Sequence, residues 1–223
     1  MPRDAAEISQ WSVCAFDALI FQKIEFPSLC KRKSCNMTLE LIVGPMFSGK
    51  SSAVLQRLRR ARAIGRDVFI VTCMLDTRYN EDGCSVKTHD LDGVAAHGLG
   101  VGELSKIFSA DAYAYPLIII EEAQFFAGLY DVVLKAVETD NKDVIVVGLD
   151  GDSDRKPFGD ILRLVPLADT VTRLTALCKR CGDGTVALFS ALVSEKEGKS
   201  EQIYVGGADK YLPMCRKHYL ENK

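Results

Sequence analysis

The run Gly44-Pro45-Met46-Phe47-Ser48-Gly49-Lys50-Ser51 carries the spacing G-x-x-x-x-G-K-[ST]. Each fixed position has a chemical reason. Glycines let backbone N–H groups curl around phosphate oxygens with no Cβ in the way, and a following helix adds its positive N-terminal end. Lys50 would reach the β- and γ-phosphates, and the Ser51 hydroxyl would ligate Mg²⁺. With glycine at ~7% usage, a chance match in a chain of this length is on the order of one per cent. Such sites need a second element, an acid at the end of a neighbouring apolar strand. Leu117-Ile118-Ile119-Ile120-Glu121-Glu122 supplies two. Successive strand residues point to opposite sides, so one carboxylate can face the Mg²⁺ shell and the other the phosphoryl acceptor.

A second constellation lies near the C-terminus. Cys178-Lys-Arg-Cys181 and Cys215-Arg-Lys-His218 form CxxC followed by CxxH. Three thiolates and one imidazole make a closed tetrahedral shell of the structural Zn²⁺ type, which leaves no open position for a reacting water. Cys14, Cys30, Cys35, Cys73 and Cys84 show no ligand-like pairing. Thiolates that hold metal point to a reducing cytoplasm.

These residues need a scaffold that brings strand ends together. Leu39–Val43, Val68–Cys73, Leu117–Ile120 and Val144–Leu149 read as short buried strands, and Ser51–Ile64 as a helix with Val54, Leu55, Leu58 and Ala61 inward, stopped by Gly65. Phe126–Glu138 reads as a further helix. This alternation predicts an α/β fold: a P-loop parallel sheet flanked by helices, with its ligand crevice at the strands' C-terminal ends. After Pro166 the pattern changes. Thr172–Leu177, Val186–Val193 and Gln202–Val205 read as strands around the cysteines, a small zinc-ribbon-like domain. The expected domains are residues 37–170 for nucleotide binding and 171–223 for zinc binding. Residues 1–36 lack glycine and periodicity, and read as a disordered or loosely attached extension.

Composition narrows the function classes. The chain has 223 residues, 48% hydrophobic, with 28 basic and 30 acidic residues and a net charge of −2. That balance exerts no whole-domain pull on nucleic acid or acidic lipid. No stretch approaches the ~20 apolar residues of a membrane span. A GTPase would carry Asn-Lys-x-Asp after a strand; Asn141-Lys142-Asp143 has its Asp one position early and precedes a strand. A nucleic-acid-binding ATPase remains an alternative, because Lys179, Arg180, Arg216 and Lys217 flank the metal ligands. No aromatic residues lie between them, which weighs against it.

From about Leu39 to Tyr219 the chain resembles the zinc-containing, cytosolic type of thymidine kinase, the type II family. The resemblance rests on Gly44–Ser51, Asp76-Thr77-Arg78-Tyr79, Thr88-His89-Asp90 and Glu121-Glu122-Ala123-Gln124-Phe125-Phe126. It extends to Leu149-Asp150-Gly151, Arg155-Lys156-Pro157-Phe158-Gly159, Gly206-Gly207-Ala208-Asp209-Lys210-Tyr211 and the four metal ligands. It implies transfer of the γ-phosphate of ATP to the 5′-hydroxyl of thymidine, with Glu122 as catalytic base and Lys50 and Arg78 as clamps. It implies an ATP and Mg²⁺ site of Gly44, Pro45, Met46, Phe47, Ser48, Gly49, Lys50, Ser51, Ser52, Asp76 and Glu121. It implies a nucleoside site of Met46, Gln124, Phe125, Leu149, Val205, Gly206, Gly207, Ala208 and Tyr211. The segment Val205–Tyr211 corresponds to the family's lasso loop, in which Tyr211 reads as an exposed aromatic beside glycines. Loss of the tethering Zn²⁺ is therefore expected to weaken nucleoside binding more than ATP binding. A homotetramer is also implied.

Two positions depart from the family. Glu121 stands where Asp is usual, and Ser153 lies where an aromatic commonly packs on the base. The second departure admits a broader pyrimidine deoxynucleoside kinase, unless Phe126 or Tyr204 fills the space.

Overall fold

The apolar runs become the strands of one parallel sheet in a computed structural model. The structure describes residues 37–75, 85–87, 93–193, 207 and 209–222, all within the unit Ser34–Lys223. Expectations for residues 1–36, Asp76, Arg78, His89, Tyr204, Val205, Gly206 and Ala208, and for the strand Gln202–Val205, lie outside the described residues.

β1 (Leu39–Val43) runs through the phosphate-type loop into α1 (Lys50–Ala63), and β2 (Val68–Cys73) follows. The short β3 (Ser85–Lys87) and β4 (Gly93–Ala95) pair antiparallel, outside the main sheet. Next come β5 (His97–Leu99), α2 (Ala110–Tyr113), β6 (Leu117–Ile120), α3 (Leu129–Leu134), β7 (Asp143–Gly148) and β8 (Thr170–Arg173). The main sheet has the order β5-β2-β6-β7-β1-β8, and each pairing in it is parallel.

Both faces of this sheet are covered, which is why its strands read as continuous apolar runs instead of alternating ones. Ile42, Ile70, Ile119, Ile145 and Val147 meet Val54, Leu58 and Ala61 of α1 on one side. Leu41, Val43, Ile118, Ile120, Val144 and Val146 meet Leu129 and Val133 of α3, with Ile161 and Leu164, on the other. The register Leu41↔Val146 and Ile42↔Val147 keeps each residue on its own face.

The helices depart modestly from expectation. α1 buries Val54, Leu55, Leu58 and Ala61, as its periodicity required. Its end is closed by N–H groups of Ile64 and Arg66 donating to Ala61 O and that of Gly65 to Arg62 O. The helix expected from Phe126 starts only at Leu129, because Phe126 is extended and buries its ring in the core. It continues past Leu134 as a π-helix, Lys135–Thr139.

The stretch expected as one strand, Thr172–Leu177, divides. Thr170–Arg173 is β8 and extends the main sheet beside β1. Ala176–Leu177 is β9, antiparallel to β10 (Val186–Ala187). β11 (Phe189–Leu192) pairs antiparallel with β12 (Tyr211–Met214), and α4 (Arg216–Glu221) follows. These two small sheets and α4 carry the Cys/His set. Among the described residues no helix is long and apolar enough to cross a membrane.

Candidate active site

β1 delivers the glycine-rich loop to the C-terminal edge of the sheet, where β6 and β7 also end. Gly44 is required by close approach: a Cβ there would lie 2.5 Å from the carbonyl oxygen of Leu174. Phe47 holds a left-handed backbone, φ 63°, costly for a non-glycine residue and characteristic of functional turns. Lys50 Nζ donates to the carbonyls of Pro45 at 2.7 Å and Gly44 at 3.2 Å. The Ser48 hydroxyl is buried in the loop with no partner. An orphaned buried hydroxyl in a cradle of backbone amides fits a phosphate oxygen as its missing acceptor.

The two acids separate just past the end of β6, by a turn of the backbone instead of by strand alternation. Glu121 is 6% exposed, and its Oε1 accepts a hydrogen bond of 2.9 Å from Ser51 Oγ. A hydroxyl and a carboxylate beside a phosphate loop are the hard oxygen donors Mg²⁺ prefers. Glu122 turns away through a left-handed backbone, φ 52° and ψ 39°, and its Oε2 accepts from Gln124 Nε2 at 2.5 Å. Gln124 is itself 3% exposed, and its Oε1 accepts from the Leu149 N–H at 2.9 Å.

Of the residues expected at the nucleoside, Met46 is buried, and its N–H donates to Ser190 Oγ at 2.8 Å. Phe125 packs edge-on against Phe158, with ring centroids 5.5 Å apart and planes at 86°. Leu149 follows β7 directly and is tied to Gln124. Gly207 O accepts from the N–H groups of Lys210 and Tyr211. Tyr211 is buried, not exposed: it opens β12, and pairing with Leu192 carries its ring inward. Phe126 is 2% exposed within the main core, so it does not fill the place vacated at Ser153. The Ser153 loop is fastened elsewhere, with its carbonyl accepting from Tyr219 Oη at 2.6 Å. Asp152 Oδ1 accepts from the N–H groups of Asp154 and Lys156.

The metal ligands converge. The ligand atoms of Cys178, Cys181, Cys215 and His218 lie within 4.8 Å of one another. His218 Nδ1 is 3.4, 3.3 and 3.5 Å from the sulfurs of Cys178, Cys181 and Cys215, and the Cys181 and Cys215 sulfurs are 3.8 Å apart. A tetrahedral ion with Zn–S near 2.3 Å and Zn–N near 2.0–2.1 Å requires S···S of about 3.8 Å and S···N of about 3.5 Å. The set fits Zn²⁺, with Nδ1 as the ligating nitrogen.

Burial opposes the charged form at both Cys178 and Cys181. At Cys178 it is outweighed by the backbone of Cys215 and the His218 ring, which bring the thiol down to about 6. Cys181 is pushed up to about 11, by burial first and then by the neighbouring sulfurs. Such staggering follows when like groups share one site, and a dication would hold all three as thiolates.

The module that carries the Cys/His set also touches the glycine-rich loop, which the motifs gave no sign of. Phe47 packs against the small cluster of Ala176, Cys178, Ala187 and Cys215, and Ser190 on β11 holds Met46. A serine in a short apolar strand was the sole available signal.

Comparison with known proteins agrees with this geometry. A family model described as Thymidine kinase matches residues 37–219. Thymidine kinase a of Arabidopsis thaliana is 44% identical over 186 residues, covering 82% of this chain and 75% of the relative. Thymidine kinase of Oryza sativa subsp. japonica is 43% identical over 190 residues, covering 83% and 67%. The cytosolic thymidine kinase of Homo sapiens is 35% identical over 184 residues, covering 82% and 73%.

Proposed function

The chain belongs to the thymidine kinase family, and from that premise we infer that it transfers the γ-phosphate of ATP to the 5′-hydroxyl of thymidine. The observation that supports the mechanism is the bond from Ser51 to Glu121, which fits one acid to the metal side, while Glu122 leaves the strand through a left-handed backbone and is read as facing the acceptor. Lys50 exchanges the carbonyls of Gly44 and Pro45 for the β- and γ-phosphates. Ser51 and Glu121 would hold Mg²⁺, which would supply neutralisation of charge on the phosphates. Glu122 accepts the proton of the 5′-hydroxyl as that oxygen bonds to the γ-phosphorus. The bond from the γ-phosphorus to the β,γ-bridging oxygen breaks, and ADP leaves with the electron pair.

Asp76 and Arg78 complete the phosphate surroundings in this reading. Met46, Phe125, Leu149, Gly207 and Tyr211, with Val205, Gly206 and Ala208, surround the nucleoside. Cys178, Cys181, Cys215 and His218 hold a structural Zn²⁺ that takes no part in the transfer. The expected boundary at residue 170 falls at the start of β8, so the nucleotide-binding domain extends to about Arg173, after an extension of residues 1–36. A cytoplasmic homotetramer fits the family resemblance, and the relative named cytosolic supports that compartment.

The test is a phosphate-transfer assay with thymidine, deoxyuridine and deoxycytidine. Thymidine should be phosphorylated, with ADP formed in equal amount; no transfer to thymidine overturns the reading. Ser153 favours a second reading of breadth, in which deoxyuridine approaches thymidine in kcat/KM.

A further inference from the structure

Gln124 reads from its position as a nucleoside contact, yet both ends of its amide are committed to the protein. Nε2 donates to Glu122 Oε2 at 2.5 Å, and Oε1 accepts from the Leu149 N–H at 2.9 Å. The side chain is 3% exposed. The space it occupies is kept by a glycine: a Cβ at Gly148 would stand 2.4 Å from Gln124 Oε1 and 3.2 Å from the Ala123 N–H nitrogen. A second close approach holds the backbone, since a Cβ at Gly159 would lie 2.3 Å from Gln124 O. Glu122 is meanwhile in a left-handed conformation, whose cost persists only where surrounding contacts over-determine it.

We propose that Gln124 is a positioning residue that fixes the rotamer of the base Glu122 by bridging its carboxylate to the end of β7. This rests on the reading of Glu122 as the base. The bridge works in two steps. The Leu149 N–H fixes which way the amide points, because an amide with Oε1 on that N–H must present its NH₂ to Glu122. The NH₂ then holds one carboxylate oxygen, so the other keeps a defined direction toward the acceptor hydroxyl. Gly148 and Leu149 belong to β7 and its exit, part of the rigid sheet. The base is therefore tied to a strand as well as to its own turn.

The experiment compares steady-state kinetics of the full chain with those of Gln124→Leu, Gln124→Glu and Glu122→Gln, and of Glu122→Gln combined with Gln124→Leu. A base released from its rotamer loses on the order of 10–100-fold in kcat, since misplacement near 1 Å costs about that much. KM for thymidine and for ATP should stay unchanged. The double variant should be no slower than Glu122→Gln alone, because orienting a base that is absent has no effect. Gln124→Glu keeps an acceptor for the Leu149 N–H and sets a second carboxyl against Glu122, so the two share a proton and the pH profile of kcat should move to higher pH; it decides the matter if Gln124→Leu fails to fold. Gly148→Ala, which pushes the amide aside, should lower kcat in the same direction. A rise in thymidine KM with kcat intact would make Gln124 a substrate contact and overturn the proposal, as would additive losses in the double variant. Near-normal kcat in Glu122→Gln overturns the assignment of the base itself, a separate failure.

Discussion

Cys181→Ala tests whether Zn²⁺ holds the C-terminal module and, through it, the phosphate loop. The module's own apolar core is Ala176, Cys178, Ala187 and Cys215, all small. At about 0.8 kcal/mol for each methyl-sized group, their burial contributes roughly 3 kcal/mol. Ordering the roughly dozen residues from Ala176 through Ala187, both strands included, costs about 12–24 kcal/mol of backbone entropy. A structural Zn²⁺ site supplies about 10–16 kcal/mol, which brings the two sides to within a few kcal/mol. Cys181→Ala should therefore lose its zinc, from about one per chain in the parent, and unfold locally. Hydrogen exchange should show lost protection at Ala176–Leu177, Val186–Ala187 and α4, while β1, β6 and β7 stay protected. The loop contacts change one expectation from sequence. Met46 is held by Ser190, and Phe47 rests on the cysteine cluster, so KM should rise for ATP as well as for thymidine. Zinc-free Cys181→Ala that keeps full protection at Ala176–Leu177 and Val186–Ala187 would refute the reasoning.

Ser153→Phe should lower KM for thymidine several-fold to roughly tenfold without changing KM for ATP, an aromatic contact being worth ~0.5–1.5 kcal/mol beyond area burial; an increase would mean that another ring already occupies the space. A chain beginning at Met37 should retain the kcat and melting temperature of the full chain, and a large loss of either would show that residues 1–36 pack on the domain. Leu164→Ala removes a side chain that is 0% exposed at the face shared with α3; it should cost about 2–5 kcal/mol in denaturant unfolding, and a loss under 1 kcal/mol would show the core to be looser there.

Much of this architecture could be read from residue order because its signals are local. β1, β2 and β6 have the expected bounds, since strands buried on both faces leave uninterrupted apolar runs. The metal ligands and the phosphate loop are likewise defined by spacings of a few residues. β5 escaped notice because His97-Gly98-Leu99 has neither length nor period, and its place beside β2 depends on the sheet's twist and edge. The pattern that places Thr172–Leu177 with the cysteines misses β8, because Thr170–Arg173 is largely exposed and polar at an edge. The bridge from Glu122 through Gln124 to Leu149, and the bond from Met46 to Ser190, join residues far apart in sequence. No periodicity records such pairs. Gln124 was visible as a residue of the site, but its bonds to Glu122 and Leu149 were not.

The division of labour between the two acids is the centre of this account, and the kcat of Glu122→Gln with saturating ATP, Mg²⁺ and thymidine tests it most directly. The substitution keeps size and hydrogen bonding but cannot take up a proton from the 5′-hydroxyl. A fall of roughly 10²–10⁴ in kcat, with KM for ATP preserved, is the predicted result. A variant that phosphorylates thymidine at the parental rate would contradict it.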